Sequence, residues 1–195
     1  MRRGVRIGQK QHTRTVLVRA ALVRFARDGL AEAKTSDIAA AAKVSHGTVF
    51  VHFSSRESLL SAAIEEFGAK ITKRLHELVE GGSSVGAVLR AHLEGLAQFE
   101  PFYTRLVTQA TVIPVAARST MVMIQSAISF HLSQAAEHEM AAGSIRRMPL
   151  SLLFNTWLGL VHYYVANKDV FSPRSSVLKR LGPELVRHYM TLISA

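Results

Sequence analysis

Apolar residues recur at three- and four-residue steps along most of this chain, and nowhere do they alternate with polar ones over a strand's length. Leu17, Val18, Ala21, Leu22, Phe25 and Ala26 form one such stripe, and Leu59, Leu60, Ala63, Ile64 and Phe67 form another. Residues so spaced share one face of an α-helix, and that face must be covered by other helices. The expected fold class is therefore all-α. With 195 residues the chain buries enough surface to need no staple, and with no cysteine it has neither disulfides nor thiolate zinc sites.

Caps and breakers divide the pattern into elements. The first helix is expected over residues 13–28, where Gly29 stops it, and a short second one over 36–42. Ser45 is placed to cap a third helix, and Ser54 or Ser55 a fourth that reaches Leu78 or Val79. GGSS, residues 81–84, is the clearest break. Beyond it helices are expected over 85–99, 101–112, 115–141, 149–167 and 175–194, with Pro114 ending or kinking one and Gly182-Pro183 interrupting the last. The chain so divides into residues 1–55, a connecting helix over 56–80, and a larger helical part, 81–195.

Charge is unevenly shared between these parts. The net charge is +10, and residues 1–56 hold 11 Lys/Arg against 3 Asp/Glu. Such an end binds polyanions, either nucleic acid or anionic lipid. Arg2, Arg3, Arg6 and Lys10 read equally as a minor-groove arm or a disordered basic tail. No apolar run of signal-peptide length follows them, which predicts a cytoplasmic protein. Residues 148–167 carry no formal charge, yet Asn155, Thr156, His162 and Asn167 make them too polar for a lipid-facing helix. The expectation there is burial in protein.

The stretch VSHGTVFVHF, residues 44–53, gives the basic end a purpose. Two short helices, a tight turn and a third helix opening on small polar residues make a helix-turn-helix, whose second member enters the major groove amino end first. Gly47 on the first turn lets backbone approach DNA where a Cβ would collide. Ser45 caps the helix, and its amide groups can face a phosphate. Thr48 suits a phosphate or a thymine methyl, His46 a base edge, and His52 a phosphate. Val44, Val49 and Phe53 are expected to hold the helix down.

The same residues resemble the TetR/AcrR family of transcriptional regulators. The likeness is densest in AALVRFARDGL (20–30), DIAAAAKVSHGTVF (37–50) and HFSSRESLL (52–60). Ile38, Ala39, Ala42, Val44, Ser45, Gly47, Thr48, His52, Phe53, Glu57 and Leu59 fall in register with the family pattern. The resemblance implies a homodimer with an amino-terminal DNA-reading domain and a helical domain that binds a small ligand and dimerises through its last two helices. Three positions depart from the pattern. Lys43 stands at a preferred glycine, where a left-handed turn costs about 1 kcal/mol; a phosphate contact would offset it. Phe50 replaces a tyrosine, and Arg56 replaces a lysine expected to bind phosphate. Thr35 and Ser36, heading the second helix, complete the expected DNA-contact set.

No catalytic motif occurs, so no enzyme, cofactor or metal site is expected. For an apolar or aromatic ligand the expected lining is Phe99, Phe102, Tyr103, Thr108, Met123, Gln125 and Trp157. For the dimer face it is Phe154, Leu158, Val161, Leu185, Tyr189 and Leu192. The expected activity is that of a repressor released from a palindromic operator by its effector. The rival reading is a basic helical protein on anionic membrane surfaces.

Overall fold

A computed structural model describes residues 2–79 and 84–195, and among these every regular element is helical. Ten α-helices follow in order: α1 (Arg2–Asp28), α2 (Thr35–Ala41), α3 (His46–His52), α4 (Arg56–Val79), α5 (Val85–Ala97), α6 (Glu100–Thr108), α7 (Val115–Ala141), α8 (Leu150–Ala166), α9 (Lys168–Phe171) and α10 (Val177–Ile193). A single 3₁₀ turn, Ala110–Val112, links α6 to α7. Most of the GGSS break lies outside the described residues, and so do the side chains of Arg2, Arg3 and Arg6. The α1 backbone is helical from Arg2, so the expected arm or tail continues the first helix.

The amino-terminal helices pack by the stripes that define them. Leu17, Val18, Ala21, Leu22 and Phe25 of α1 are buried with Ile38 and Ala39 of α2, Val49 of α3, and Leu59, Leu60 and Ala63 of α4. Arg24 ties α1 to α2 through Asp37 at 2.7 Å and also pairs with Asp28 at 2.8 Å. Helix α4 then leaves this domain and lies along α5 and α7. Gly68 makes the α4–α7 approach possible, because a Cβ there would fall 2.6 Å from Ile124 Cδ1.

The carboxy-terminal helices enclose an unusually polar core group. Trp157 of α8, fully buried, donates its indole N–H to His92 Nδ1 of α5 at 3.0 Å and lies 5.2 Å from the Tyr189 ring of α10. Burial, with His162 nearby, pushes the His92 pKa down to about 3, so the ring is a neutral acceptor. Burial pushes the Tyr189 hydroxyl up to about 12, and that hydroxyl donates to the Leu153 carbonyl. Glu100, also buried, accepts from the backbone N–H groups of Val177 and Leu178, both at 2.9 Å. It thereby caps α10 from the first turn of α6 and satisfies donors that a helix start leaves open.

The last part of the chain departs from expectation in two ways. Gly182-Pro183 does not interrupt the last helix, which runs unbroken from Val177 to Ile193. Pro183 and Lys179, whose carbonyl the proline cannot satisfy, both lie on the exposed side of the helix, so that carbonyl is not enclosed in the core. On the inner side Gly182 lets α5 approach: an added Cβ would meet Leu93 Cδ1 at 3.2 Å. The short helix Lys168–Phe171 was not expected; it turns the chain between α8 and α10.

Candidate nucleic-acid interface and helical-domain cavities

Helices α2 and α3 are joined by a four-residue turn in which Lys43 takes φ +56°, the left-handed conformation, with its side chain exposed. That is the one non-glycine residue with positive φ among the described residues. Ser45 caps α3: its Oγ accepts from Thr48 N–H at 3.2 Å and shares a 2.8 Å hydrogen bond with the Thr48 hydroxyl. Thr35 Oγ1 and His46 Nε2 share another at 2.9 Å, which joins the heads of the two helices. The His46 ring packs edge-on against Phe50, with centroids 5.2 Å apart. Val49 and Phe53 are buried and Val44 is half-buried, fixing the orientation of the helix.

What this leaves outward is a surface of small, polar and aromatic groups. Ser36, Lys43, Ser45, His46 and Gly47 are exposed, and Thr35 and Thr48 partly so. Phe50 and Val51, at 49% and 69% exposure, stand uncovered beside them. A Cβ on Gly47 would meet only Ser45 Oγ, at 3.9 Å, so nothing in the chain itself calls for glycine there. His52 closes the surface. Burial first, then the charges of Lys10 and Arg14, hold its pKa below the ordinary histidine range. Its Nδ1 is enclosed without a partner. Lys10 was expected only as part of a minor-groove arm or basic tail, and Arg14 was not in the expected contact set, although it lies off the apolar stripe of α1. Arg14 sits 4.9 Å above the Phe53 ring, beside the end of α3.

Arg56 is the correction at this face. Its guanidinium points inward, donating to the carbonyls of Ala33 at 2.9 Å, Ala31 at 2.8 Å and Leu30, and it lies 5.4 Å from the Phe25 ring. These are carbonyls left open by the loop between α1 and α2, and a planar five-donor group satisfies them together. Arg56 therefore staples the domain through these carbonyls.

The expected ligand residues divide among three places. A cavity of about 320 Å³ between α6, α7 and α8 is lined by Tyr103, Leu106, Val107, Met121 and Gln125, with Arg118 and His162 at its polar side. There the Tyr103 hydroxyl and His162 Nε2 share a 2.7 Å hydrogen bond. Burial raises the Tyr103 pKa and lowers that of His162, so both are neutral. Arg118 has no hydrogen-bond or ion-pair partner among the described residues. Phe99 and Phe102 line a different cavity, of about 560 Å³, between α1, α4 and α6. The remainder are corrections. Trp157 belongs to the core, Thr108 gives its hydroxyl to the Thr104 carbonyl at 2.8 Å, and Met123 points outward at 63% exposure. Met121 occupies the place expected of Met123, since two residues turn a helix by about 200°.

The expected dimer residues also divide. Phe154, Val161, Leu185 and Tyr189 are covered by their own chain, Leu158 is half-buried, and Leu192 is 48% exposed. The open face of α8 carries Leu152, Thr156, Gly159 and Tyr163 instead.

Two features connect the domains. Arg105 of α6 donates to the carbonyls of Ala26 and Arg27 at 3.2 Å each, where α1 ends. Gln109 Oε1 accepts from Leu30 N–H at 2.6 Å, just after Gly29 makes its positive-φ turn.

The fold and its exposed second helix define a helix-turn-helix protein with a helical second domain. Residues 17–63 match the sequence family described as "Bacterial regulatory proteins, tetR family". It is similar to the HTH-type transcriptional repressor Rv3405c of Mycobacterium tuberculosis, 39% identical over 67 residues that cover 34% of this chain and 36% of that protein. The match thus spans about a third of the length of the curated relatives. The fold is similar to that of a TetR-family transcriptional regulator from Agrobacterium tumefaciens, with a TM-score of 0.78 at 15% identity, covering 95% of this chain and 100% of that one. It is also similar to the transcriptional regulator FadR of Bacillus subtilis, solved in complex with stearoyl-CoA, with a TM-score of 0.73 at 18% identity over 92% and 98% of the two chains. Among the described residues no helix is long and apolar enough to cross a membrane.

Proposed function

We propose that this protein is a ligand-responsive transcriptional regulator that binds a roughly palindromic DNA site as a homodimer and is released from it by a small effector. The observation that carries the reading is the surface of α3: a glycine with no internal reason to be glycine, set among Ser45, His46 and Thr48 at a helix amino end, on the basic part of the chain. Lys10, Lys43 and Arg14 supply phosphate contacts around it. His46 and Thr48 face base edges, and His52 reaches backbone.

Two copies joined through the open faces of α8 and α10 would hold two α3 helices about 34 Å apart, one helical turn of DNA. Leu152, Tyr163 and Leu192 are the apolar groups those faces offer. The effector enters the α6–α7–α8 cavity. Its apolar wall and the neutral Tyr103–His162 pair favour an apolar body, and the unpartnered Arg118 favours a negative or strongly accepting group upon it. The response passes through α6, which lines that cavity with one face and holds the end of α1 with Arg105 and Gln109 on another. A coupling of about 1–3 kcal/mol suffices to release DNA.

The test is binding of the full chain to duplexes selected from random sequence, followed by fluorescence anisotropy at several salt concentrations. A sequence-preferring complex whose affinity falls steeply with salt supports the reading. Binding with no sequence preference, or none at all, sinks it.

A further inference from the structure

The cavity of about 560 Å³ between α1, α4 and α6 differs from the proposed effector cavity in place and in chemistry. It lies on the seam between the amino-terminal domain and the helical one, so that Val23 of α1 faces Phe99 and Phe102 at the start of α6. Its volume is within the range of small-molecule pockets, about 300–1,000 Å³. The floor is apolar, and the three charged groups around it are all cations: Arg19, Arg27 and Lys70. Arg27 is paired with Asp28 at 2.7 Å, and Lys70 with Glu66 at 3.1 Å while lying 5.4 Å from the Phe99 ring. Arg19 has no partner among the described residues, although it is exposed at the rim.

We infer that this seam is a second small-molecule site, for a flat apolar or aromatic body carrying a single carboxylate. The body lies against Val23, Phe99 and Phe102, and the carboxylate meets the Arg19 guanidinium, whose planar fork suits it. A ring system fits better than a flexible chain, because half-buried Phe99 offers aromatic surface beside Val23. The inference is independent of DNA recognition and of what fills the other cavity.

The probe is 2-naphthoate, with neutral 2-naphthalenemethanol beside it, titrated into the full chain by isothermal calorimetry and by naphthyl fluorescence. Four proteins are compared: wild type, Arg19→Gln, Val23→Trp and Ala110→Trp. Val23 is 66% exposed, so tryptophan there fills the seam without entering the core, and Ala110 is exposed at the mouth of the other cavity. Thermal melts verify that each variant is folded; should Val23→Trp fail to fold, Arg19→Gln decides alone. The expected result is saturable naphthoate binding by wild type and Ala110→Trp, about 5-fold or more weaker in Arg19→Gln and lost in Val23→Trp, with the alcohol about 10-fold weaker than the acid. No saturable binding by wild type overturns the inference, as does unchanged binding in Arg19→Gln and Val23→Trp, or equal binding of acid and alcohol. Loss confined to Ala110→Trp also overturns it, by placing the probe in the α6–α7–α8 cavity. No DNA enters the experiment, so failure of the regulatory reading leaves its outcome unaffected.

Discussion

Replacing Gly47 with alanine separates what the fold needs from what a duplex needs. Within the chain the added Cβ meets only Ser45 Oγ at 3.9 Å, an ordinary van der Waals contact. Glycine in a helix is less favourable than alanine by about 0.5–1 kcal/mol, somewhat less in a first turn. Gly47→Ala should therefore leave the isolated protein as stable as wild type or more stable by about 0.5 kcal/mol, read by urea unfolding. Against DNA the same methyl stands where the amino end of α3 must come closest, and displacing the helix weakens the phosphate and base contacts it carries. The expected loss is at least about 10-fold in affinity, or about 1.4 kcal/mol, read by anisotropy on the duplex selected by wild type. Opposite signs in the two assays are the signature. Undiminished DNA affinity refutes the reasoning, and so does a variant destabilised by more than about 1 kcal/mol, which would show that glycine serves the fold.

Three further perturbations test other parts of the structure. Gly68→Ala should destabilise by about 1–2 kcal/mol in urea unfolding, since overpacking against Ile124 exceeds the helix-propensity gain, and Ile124→Val should recover part of that loss. Lys43→Gly relieves the left-handed strain and should stabilise by about 0.5 kcal/mol, while lowering the slope of log affinity against log salt by about 1 if the lysine meets a phosphate. His92 is held neutral with its pKa lowered to about 3, below the unfolded value of 6.5. Above pH 6.5 neither state holds that proton and the group is silent; below it the unfolded chain alone takes the proton, so stability falls towards pH 3 by up to about 1.4 kcal/mol per unit. His92→Gln, which keeps an acceptor for the Trp157 indole, should flatten that acid limb in urea titrations repeated from pH 7 to 4.

The sequence reading succeeded where a local rule sufficed. Ser45 announces the start of α3 because capping involves residues three apart, and Pro114 marks the start of α7 because its ring fixes φ and removes an N–H. The exposed polar face of α3 was legible because polar residues on a short helix have nowhere to go but outward. What stayed hidden depended on partners distant in the chain. The charge of Arg56 suggested phosphate, yet three loop carbonyls lie within its reach. Phe154, Val161, Leu185 and Tyr189 are apolar enough for a dimer face, but periodicity does not reveal whether a chain covers a stripe with itself or with a copy. The Glu100 cap of α10 joins residues 77 and 78 positions apart, and no short-range pattern announces it.

Helix α6 assigns different duties to different sides of nine residues. Tyr103, Leu106 and Val107 look into one cavity, whereas Glu100 and Arg105, with Gln109 just beyond the helix end, fasten the neighbouring elements. Substitutions at the first three positions accordingly reshape the cavity wall while the three fastenings of α6 stay in place.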